Sequence, residues 1–522
     1  MFCIRSKPSK FMPNIVKYLK CRENFGKPCY VGAQKCMSTS AAGNSTTAIK
    51  LKARKLNPNE NYGQPTPWTH PHMLTPGEIV PGITLDEIRM RRNNLALNIQ
   101  KFAVDQSKAL KKHLIVIPSS TKKYMSDKIP YVFRQSSDFM YLTGCLEPDS
   151  VLLLLINEKS EPKSILFMRP KDKHAELWDG PRTGVDQSVD YFGVDEAYDV
   201  EQLEHFIQRY LRTETPLTLW YDKRSSDQEK ITKILETAAK TLTPSTTESP
   251  TAFIHKMRLI KSPAEINLMR TTCEIASESI NQTIADTRPG DCEHHIFSRV
   301  DHYCRMRNAS FLAYPPVVAA GKNATTIHYI NNNQLARNGE LVLMDAGCEY
   351  AGYTSDITRT WPVNGHFSTI QKVLYEVLLT VQKELINTLL TEGGRTLDDL
   401  FDTMCMKLGK YLQEIGLIPK NLKTLDLAKV AYSFCPHHVS HYLGMDVHDT
   451  PLISRSIPLL PGMVCTVEPG IYIASDRMDV PTEFRGIGMR IEDDVLIQSS
   501  NSVEVLTQKC VKEIVDLENL AK

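Results

Sequence analysis

The C-terminal half of the chain contains short apolar runs that end on acidic residues, and this pattern limits how that half can fold. Asp345 follows an apolar run at residues 341–344, and Glu468 follows another at residues 463–467. Both runs are typical of buried strands. A carboxylate on a buried strand is costly unless it is paired or bound to a metal. We therefore expect these strand ends to meet where their charge is balanced.

Five side chains in this half would together form the ligand set of a two-metal site. They are Asp345, Asp356, His441, Glu468 and Glu492. Carboxylates and imidazole suit a pair of Mn²⁺, Co²⁺ or Zn²⁺ ions, whereas structural zinc sites commonly use thiolates. Four negative charges would also balance two divalent cations. The pattern therefore indicates an enzyme with a dinuclear metal centre.

The two aspartates could face each other across a hairpin. The segment between Asp345 and Asp356 contains two glycines. A turn at Tyr350 and Ala351 would place the carboxylates directly opposite, with Cβ atoms about 5 Å apart. Each aspartate alone is more often a turn or cap residue. This pair gains its meaning only beside the other ligands.

The glutamates have two interpretations. In residues 489–495, period-two alternation places Arg490 and Glu492 on the same strand face. Glu492 would then be a ligand, with Arg490 orienting a neighbouring acid. The alternative is that Glu468 and Glu492 lie at solvent-facing strand ends, and alternation alone does not decide between the two.

Histidines are concentrated in one short segment. Four of the fifteen histidines of the chain lie between residues 436 and 449: His437, His438, His441 and His448. A single histidine is usually a satisfied polar residue, but a cluster beside apolar strands is a better site candidate. One of them can bind metal while the others donate hydrogen bonds.

Length and charge limit the class of protein. The 522 residues suffice for two domains plus a tail. The formal charge is only +2, so no global field favours nucleic acid or an anionic membrane as a partner. The longest aliphatic run is far shorter than the roughly 20 residues of a membrane span. The thirteen cysteines, which include no C-x-x-C pair, fit reduced thiols.

The order of segments predicts an N-terminal α/β domain followed by a catalytic domain. A helix is expected at residues 88–102, and apolar segments at 114–117, 131–142, 151–156, 164–168 and 217–221 are expected to supply strands. A Thr/Ser/Pro-rich stretch at 241–251 marks the end of this domain. Ser262, Pro263 and Glu265 then form a capping-box signature for a helix that begins at Pro263. Further helices are expected at 370–390 and 397–415, and another strand at 488–497.

The first 59 residues differ in charge from the rest. Glu23 is the only acidic residue among them, whereas lysine and arginine recur. This composition resembles a mitochondrial transit peptide, and a disordered basic tail is the alternative. Residues 60–83 contain five prolines and are expected to form an extended connector. We assign 84–251 to the N-terminal domain, 252–510 to the catalytic domain and 511–522 to a tail.

Longer motifs resemble the pita-bread metallopeptidases. The matching segments are residues 344–350, 356–360, 438–449, 467–472 and 488–493. Within that superfamily the chain resembles the aminopeptidase P family, and its mitochondrial type 3 branch, through residues 64–72, 138–144 and 176–182. The resemblance covers about residues 60–510 and implies an α/β (α+β) architecture in which an N-terminal domain precedes a pita-bread catalytic domain.

The resemblance implies a role for each site residue. One metal would be held by Asp345, Asp356 and Glu492, and the other by Asp356, His441, Glu468 and Glu492. His328 and His448 would line the substrate site, His438 would support it, and Tyr472 and Arg490 would lie behind the ligands. Trp178 and Arg182 are carried over with the reservation that family oligomers can place residues of the N-terminal domain at a neighbouring active site.

The implied reaction is the removal of the N-terminal residue from peptides or proteins with proline in second position. A hydroxide shared by two metals, with Mn²⁺ preferred over Co²⁺ or Zn²⁺, would attack the carbonyl before proline, and Glu468 would move the proton to the leaving nitrogen. Alternatives are a prolidase, a mitochondrial peptidase that trims imported precursors regardless of proline, and an inactive binding module. The resemblance also implies a homodimer. A mitochondrial location is expected, and a form without the leader would be cytosolic.

Overall fold

A computed structural model of the protein describes residues 56–105, 112–157, 160–214, 216–224, 226–240, 246–391 and 393–520. The predicted transit peptide therefore lies almost entirely outside the described residues. The connector at 60–83 contains turns and the short hairpin β1–β2, formed by Glu78–Val80 and Ile83–Thr84. Among the described residues, no helix combines the length and the apolar character that a membrane span requires.

A mixed six-stranded sheet organises the N-terminal region. Its strands lie in the order β10-β9-β3-β6-β7-β8. In chain order the elements are α1 Leu85–Asp105, β3 His113–Pro118, β4 Tyr124–Ser126, β5 Ile129–Pro130, α2 Ser137–Thr143, β6 Val151–Asn157, β7 Ser160–Met168, α3 Lys173–Asp179, α4 Gly184–Phe192, β8 Glu196–Asp199, α5 Leu203–Glu214, β9 Thr218–Trp220, α6 Glu229–Lys240 and β10 Thr246–Glu248. Strands β3, β6 and β7 pair antiparallel, while β9 runs parallel to β3.

Short antiparallel sheets surrounded by helices form the C-terminal region. The helices are α7 Thr251–Leu259, α8 Pro263–Asp286, α9 Glu293–Met306, α10 Thr369–Thr391, α11 Leu397–Glu414, α12 Thr424–Tyr432 and α13 Ile514–Leu520. The strands are β11 Phe311–Leu312, β12 Val317–Ala320, β13 Leu341–Ala346, β14 Cys348–Tyr350, β15 Tyr353–Thr354, β16 Ile357–Pro362, β17 Val464–Val467, β18 Gly470–Ile473, β19 Ile487–Arg490, β20 Asp493–Ser499 and β21 Ser502–Val505. They pair as β11-β14-β15, β12-β13-β16, β17-β20-β21 and β18-β19.

The two regions share one apolar cluster. Leu152 and Leu154, on β6 of the N-terminal sheet, belong to the same buried cluster as Leu268, Met269 and Cys273 of α8. The helix α8 begins as predicted, because the Ser262 side chain accepts a hydrogen bond from the Glu265 backbone and the Glu265 side chain accepts one from the Ser262 backbone. The N-terminal region therefore supports the helix against which the catalytic strands pack.

Two predicted strands differ from the structure. Part of segment 131–142 forms the helix α2, which is capped by Gly144 with a left-handed φ of 66°. Short apolar runs do not distinguish a buried helix from a strand by periodicity, and here the glycine was the informative signal. The strand expected at 488–497 is interrupted, because Ile491 and Glu492 separate β19 from β20. In addition, β10 lies within the stretch that was expected to end the N-terminal domain and pairs with β9.

Candidate metal centre and active site

The predicted ligands come from several strand ends. Asp345 is on β13, and Asp356 directly precedes β16. Glu468 follows β17, and Glu492 lies between β19 and β20. Ligand atoms of Asp356, His441 and Glu492 all lie within 4.8 Å of one another. These strand ends meet because β13 pairs with β16 and because the Glu492 backbone N–H donates to the Thr358 carbonyl of β16 at 3.1 Å.

His441 and Tyr314 connect the remaining acids to this group. The His441 Nε2 atom lies 3.3 Å from Asp356 Oδ2 and 3.6 Å from Glu468 Oε1. The Tyr314 hydroxyl lies 2.6 Å from Asp345 Oδ1 and 2.5 Å from Asp356 Oδ1. All five predicted ligands therefore line one small volume.

The hairpin between the aspartates turns one residue later than expected. Tyr350 pairs with Tyr353, so the turn residues are Ala351 and Gly352, with φ of 52° and 82°. Two positive φ angles suit a tight hairpin turn, and glycine adopts one of them at little cost. The shift moves Asp345 opposite Thr358 rather than opposite Asp356. The two carboxylates still approach, because Asp356 lies where the chain enters β16.

Arg490 and Thr358 hold the carboxylates from behind. Arg490 donates to Asp345 Oδ2 at 2.5 Å, to the Tyr472 hydroxyl at 2.8 Å and to the Thr358 hydroxyl at 2.9 Å. The Thr358 hydroxyl in turn donates to Glu492 Oε2 at 2.6 Å. Arg490 is only 2% exposed. Its planar guanidinium thus fixes the orientation of groups on three different strands.

The protein alone does not neutralise the acidic centre, by which we mean Asp345, Asp356, Glu468 and Glu492. Burial, together with the Asp356 and Glu468 carboxylates, raises the pKa of Glu492 well above its usual value. Burial and the Asp356 and Asp345 charges raise the pKa of Glu468 to about 7. Burial lowers the pKa of His441, but Asp356 and Glu468 outweigh it and raise this pKa to about 9. Arg490 and His441 thus leave an excess of negative charge among the four carboxylates, as expected of a site for cations.

The donor set fits divalent metal ions. Glu492 is only 1% exposed, and its Oε1 atom has no hydrogen-bond partner among the described residues. A buried carboxylate oxygen without a partner is costly unless a cation binds it. Oxygen ligands with one imidazole match Mn²⁺, Co²⁺ or Zn²⁺. Asp345, Asp356, His441, Glu468 and Glu492 are the residues that could hold them.

Further histidines surround the acidic centre. The rings of His441 and His448 lie 4.6 Å apart, edge to face. His437 Nε2 lies 3.0 Å from the Tyr472 hydroxyl, and its Nδ1 lies 3.9 Å from Glu468. His438 instead packs on the Phe401 ring at 4.7 Å. His448 and His328 are both solvent-exposed, and the charges of His441 and His328 both act on His448.

The family comparisons agree with this geometry. The protein-family model described as "Metallopeptidase family M24" matches residues 267–499, and the family model described as "Aminopeptidase P, N-terminal domain" matches residues 88–220. Human Xaa-Pro aminopeptidase 3 is 44% identical over 469 residues, which is 89% of this chain and 91% of that protein. The chain belongs to the aminopeptidase P family.

Other aminopeptidase P relatives extend the comparison. The mitochondrial intermediate cleaving peptidase 55 of Arabidopsis thaliana is 35% identical over 476 residues, covering 91% of this chain and 90% of that protein. The structure of proline aminopeptidase P II from Yersinia pestis has a TM-score of 0.76 at 33% identity and covers 84% of this chain and 99% of that one. Zinc-substituted aminopeptidase P from E. coli in complex with product has a TM-score of 0.75 at 32% identity, over 84% of this chain and 98% of that one.

Membership in the aminopeptidase P family confirms three predictions. The fold is α/β with an aminopeptidase P N-terminal domain and a pita-bread catalytic domain. The chain is a metallopeptidase, which favours the enzyme over the inactive binding module. The family match and the ligand cluster together support a divalent metal centre.

Two predicted residues of the aminopeptidase P site lie apart from this cluster. Trp178 is 77% exposed on α3, none of whose residues is buried. Arg182 donates to the Pro170 carbonyl at 3.0 Å. No hydrogen bond, ion pair or ring contact among the described residues joins either side chain to the acidic centre. Within a single chain they do not complete the site.

Sequence reasoning missed two residues that contact the aminopeptidase P ligands. Thr358 and Tyr314 bond carboxylates of the acidic centre. His437 was included in the histidine cluster but was given no role of its own, and its Nδ1 lies 3.9 Å from Glu468. Thr358 could have been found, because period-two alternation from Asp356 places it on the same face of β16. Tyr314 lies in an irregular segment before β12, where no periodicity indicates its direction.

Proposed function

We propose that this protein removes the N-terminal residue from peptides and proteins whose second residue is proline. The observation that carries the proposal is the convergence of Asp345, Asp356, His441, Glu468 and Glu492 on one small volume, where four carboxylates outnumber the cationic partners Arg490 and His441. Relatives named Xaa-Pro aminopeptidase 3 at 42–44% identity support the substrate class.

Two divalent cations would be held by the five ligands, with Asp356 and Glu492 shared between them. Mn²⁺ is the ion we propose, because four carboxylates make the donor set rich in oxygen. When bound, such ions ionise water near neutral pH and polarise a carbonyl oxygen. Arg490 and Tyr314 keep Asp345 in the orientation that this ligand set requires.

The protein's own groups move the proton and hold the substrate. We assign to Glu468 the uptake of a proton and its transfer to the proline nitrogen that leaves. Burial and the neighbouring His441 lower the pKa of His448, which keeps its imidazole neutral at neutral pH. We assign His448 and His328 to bind the peptide carbonyl oxygen. We assign His438 to support the substrate site, and Tyr472 and Arg490 to the layer behind the metal ligands.

Proline can be selected by shape and by the absence of a donor. Its ring replaces the amide N–H, so a site that offers no acceptor at that position loses nothing when proline binds. A prolidase would use the same metal centre on dipeptides. Chain length of the substrate therefore separates the two activities, and we expect tripeptides and longer X-Pro peptides to be cleaved.

The test measures release of the first residue from an X-Pro-containing tripeptide, an X-Pro dipeptide and the tripeptide with alanine in place of proline. The metal-free protein is assayed with and without Mn²⁺, Co²⁺ or Zn²⁺. We expect activity on the proline tripeptide that a chelator removes and Mn²⁺ restores. Activity that survives complete metal removal, or cleavage of the dipeptide alone, would contradict the proposal.

A second candidate is the trimming of one residue from imported precursors without a requirement for proline. It is favoured by the basic, acid-poor composition of residues 1–59 and by relatives named intermediate cleaving peptidase 55. We propose a mitochondrial location on the same grounds. Import of the full chain into isolated mitochondria, followed by N-terminal sequencing, tests the location, and peptides that mimic precursor N-termini without proline test the activity.

We propose a homodimer in which the partner completes the site. Trp178, on the exposed α3, and Arg182 would then reach the neighbouring active site. Light scattering should give twice the chain mass, and Trp178→Ala should reduce kcat/KM without changing metal content.

We also propose residues 84–251 and 252–510 as the two domains, and limited proteolysis can test these bounds.

A further inference from the structure

A buried glutamate outside the acidic centre binds the loop that carries His328. We call residues 321–334 the His328 loop. Glu293, at the first position of α9, is 0% exposed. Among the described residues no lysine, arginine or histidine forms an ion pair with it. A carboxylate buried in this way must be stabilised by hydrogen bonds alone.

Four donors satisfy the two carboxylate oxygens of Glu293. Oε1 accepts from the Ala320 backbone at 2.8 Å and from the Asn323 amide at 2.9 Å. Oε2 accepts from the Gln334 backbone at 2.8 Å and from the Tyr329 hydroxyl at 2.9 Å. The Glu293 backbone also donates to the Gln334 carbonyl at 2.9 Å. One side chain thus binds the start, the middle and the end of the loop.

The chemistry of this contact requires a carboxylate. Each oxygen faces a backbone N–H, which can only donate, so both oxygens must accept. A glutamine would place its own N–H against one of these backbone donors, and that backbone N–H would lose its acceptor. The position at the N-terminus of α9 also favours a negative charge.

The loop held by Glu293 packs directly on the active site. Tyr329, which bonds Glu293, is the residue next to His328. Tyr329 and Ile327 pack against an apolar cluster that includes Tyr472, itself a partner of Arg490. A Cβ atom at Gly488, on β19, would lie 2.1 Å from the Ala324 carbonyl oxygen. The loop is therefore fixed between Glu293 on one side and the strand that carries Arg490 on the other.

We propose that Glu293 is a positioning residue for catalysis that acts through His328. The inference rests on the proposed function, because it assumes that His328 contacts the substrate. Loss of the Glu293 carboxylate would release the loop and displace His328 while leaving the five metal ligands in place. Misplacement of a substrate-positioning group by about 1 Å can cost on the order of 100-fold in rate.

The test is a double-mutant cycle with Glu293→Gln, His328→Ala and the double variant, assayed on an X-Pro tripeptide. We expect Glu293→Gln to lower kcat/KM about 10-fold to 100-fold. It should divide this loss between kcat and KM in the same way as His328→Ala. The double variant should be no worse than His328→Ala alone, because both changes remove one function.

Controls separate positioning from general damage. Metal content should be unchanged in all three variants. Asp301→Asn, on the same helix, removes an ion pair with Arg305 and should leave kcat/KM unchanged. If Glu293→Gln does not fold, Tyr329→Phe removes the single contact nearest His328 and should give a smaller loss of the same kind.

Three results would overturn the inference. They are unchanged kcat/KM in Glu293→Gln, a double variant whose loss is the product of the two single losses, and a loss of bound metal that accounts for the whole effect. An unmodified protein that cleaves X-Pro peptides keeps the proposed function in each of these cases. An unmodified, metal-loaded protein without that activity would instead remove the proposed function itself.

Discussion

One cluster of acidic residues lies within the catalytic region and another at its border with the N-terminal region, and their charges are balanced in different ways. In the acidic centre, burial and like charges raise the pKa values of Glu468 and Glu492. In the second group, which we call the Arg258 cluster, burial would also raise the pKa of Asp446, but Arg258 and Arg134 outweigh it and lower this pKa well below its usual value. The cluster consists of Asp138, Asp446 and Asp449 with Arg258, Lys261 and Arg134.

The difference distinguishes structural acids from functional ones. Arg258 is 3% exposed and contacts Asp138 of α2 at 2.7 Å, Asp446 at 2.7 Å and Asp449 at 2.5 Å. Its counter-charges are part of the chain, so the cluster joins the N-terminal region to the segment that carries His448. In the acidic centre, Arg490 and His441 balance only part of the charge of four carboxylates, so the remaining positive charge would have to come from bound cations.

The largest effect is expected when a metal ligand loses its charge. Glu492→Gln should lower kcat/KM on an X-Pro tripeptide by more than about 100-fold. Even the mutation of a residue that only hydrogen-bonds to a metal ligand typically lowers metal affinity or activity by about 10-fold to 100-fold. The same change should leave the metal-free protein at least as stable as the original, because it relieves repulsion. Enzyme assays and urea unfolding of chelated protein measure the two quantities.

The control for this variant is Glu504→Gln, which alters a partly exposed glutamate of β21 that pairs with Arg270 of α8. It should retain full activity. A Glu492→Gln protein with near-normal turnover would show that the two clusters do not differ in function.

Replacement of the Arg258 guanidinium by an uncharged side chain should destabilise the fold. Arg258→Met leaves three acids near one another with Arg134 and Lys261 as their remaining partners. The free energy of unfolding should fall by about 3–5 kcal/mol, as for other broken buried ion pairs. Urea denaturation of the metal-loaded protein measures it. A loss below about 1 kcal/mol would mean that the cluster resembles an exposed ion pair.

The clusters should also differ in how pH affects stability. Glu468 has a pKa raised to about 7, so the folded, metal-free protein binds a proton that the unfolded chain releases near pH 4.5. The stability of the metal-free protein should therefore fall as pH rises from about 4.5 to 7. His441 extends the fall, because its pKa of about 9 means that its contribution, complete below pH 6.5, is lost as pH rises to 9.

Bound metal should abolish this pH dependence. Asp446 contributes no slope in the same range, because its lowered pKa affects stability only as pH falls below its usual value near 3.8. Thermal unfolding at pH 5 and pH 8, with and without Mn²⁺, tests the sign. Equal melting temperatures of the chelated protein at both pH values would contradict the proposed charge imbalance.

The smallest effect is expected at an exposed ion pair. Arg270 contacts Glu504 at 2.7 Å, but its side chain is 43% exposed. Arg270→Gln should change the free energy of unfolding by only about 0.2–1 kcal/mol. It serves as the matched control for Arg258→Met, and a loss as large as that of Arg258→Met would remove the distinction between the clusters.

Much of the site could be anticipated from sequence because the ligands end apolar strands. Asp345 and Glu468 follow runs that form β13 and β17, and these runs are long enough to be identified. The capping box at Ser262 likewise located the start of α8. Local signals of this kind survive because packing and local preference agree.

Other features depend on contacts that sequence does not display. Glu492 and Asp493 are adjacent acids, yet Asp493 is paired with Arg359 at 2.7 Å whereas Glu492 Oε1 has no partner among the described residues. Alternation identifies the two faces but not which face holds an arginine. The hairpin turn was misplaced by one residue because both Ala351 and Gly352 adopt positive φ, and only glycine is a sequence signal for it.

The apolar cluster shared by β6 and α8 affects how a fragment of the chain would behave in solution. A fragment that began at α8 would present Leu268 and Met269 to water and would be prone to self-association. The catalytic portion is therefore not expected to behave as a separable domain.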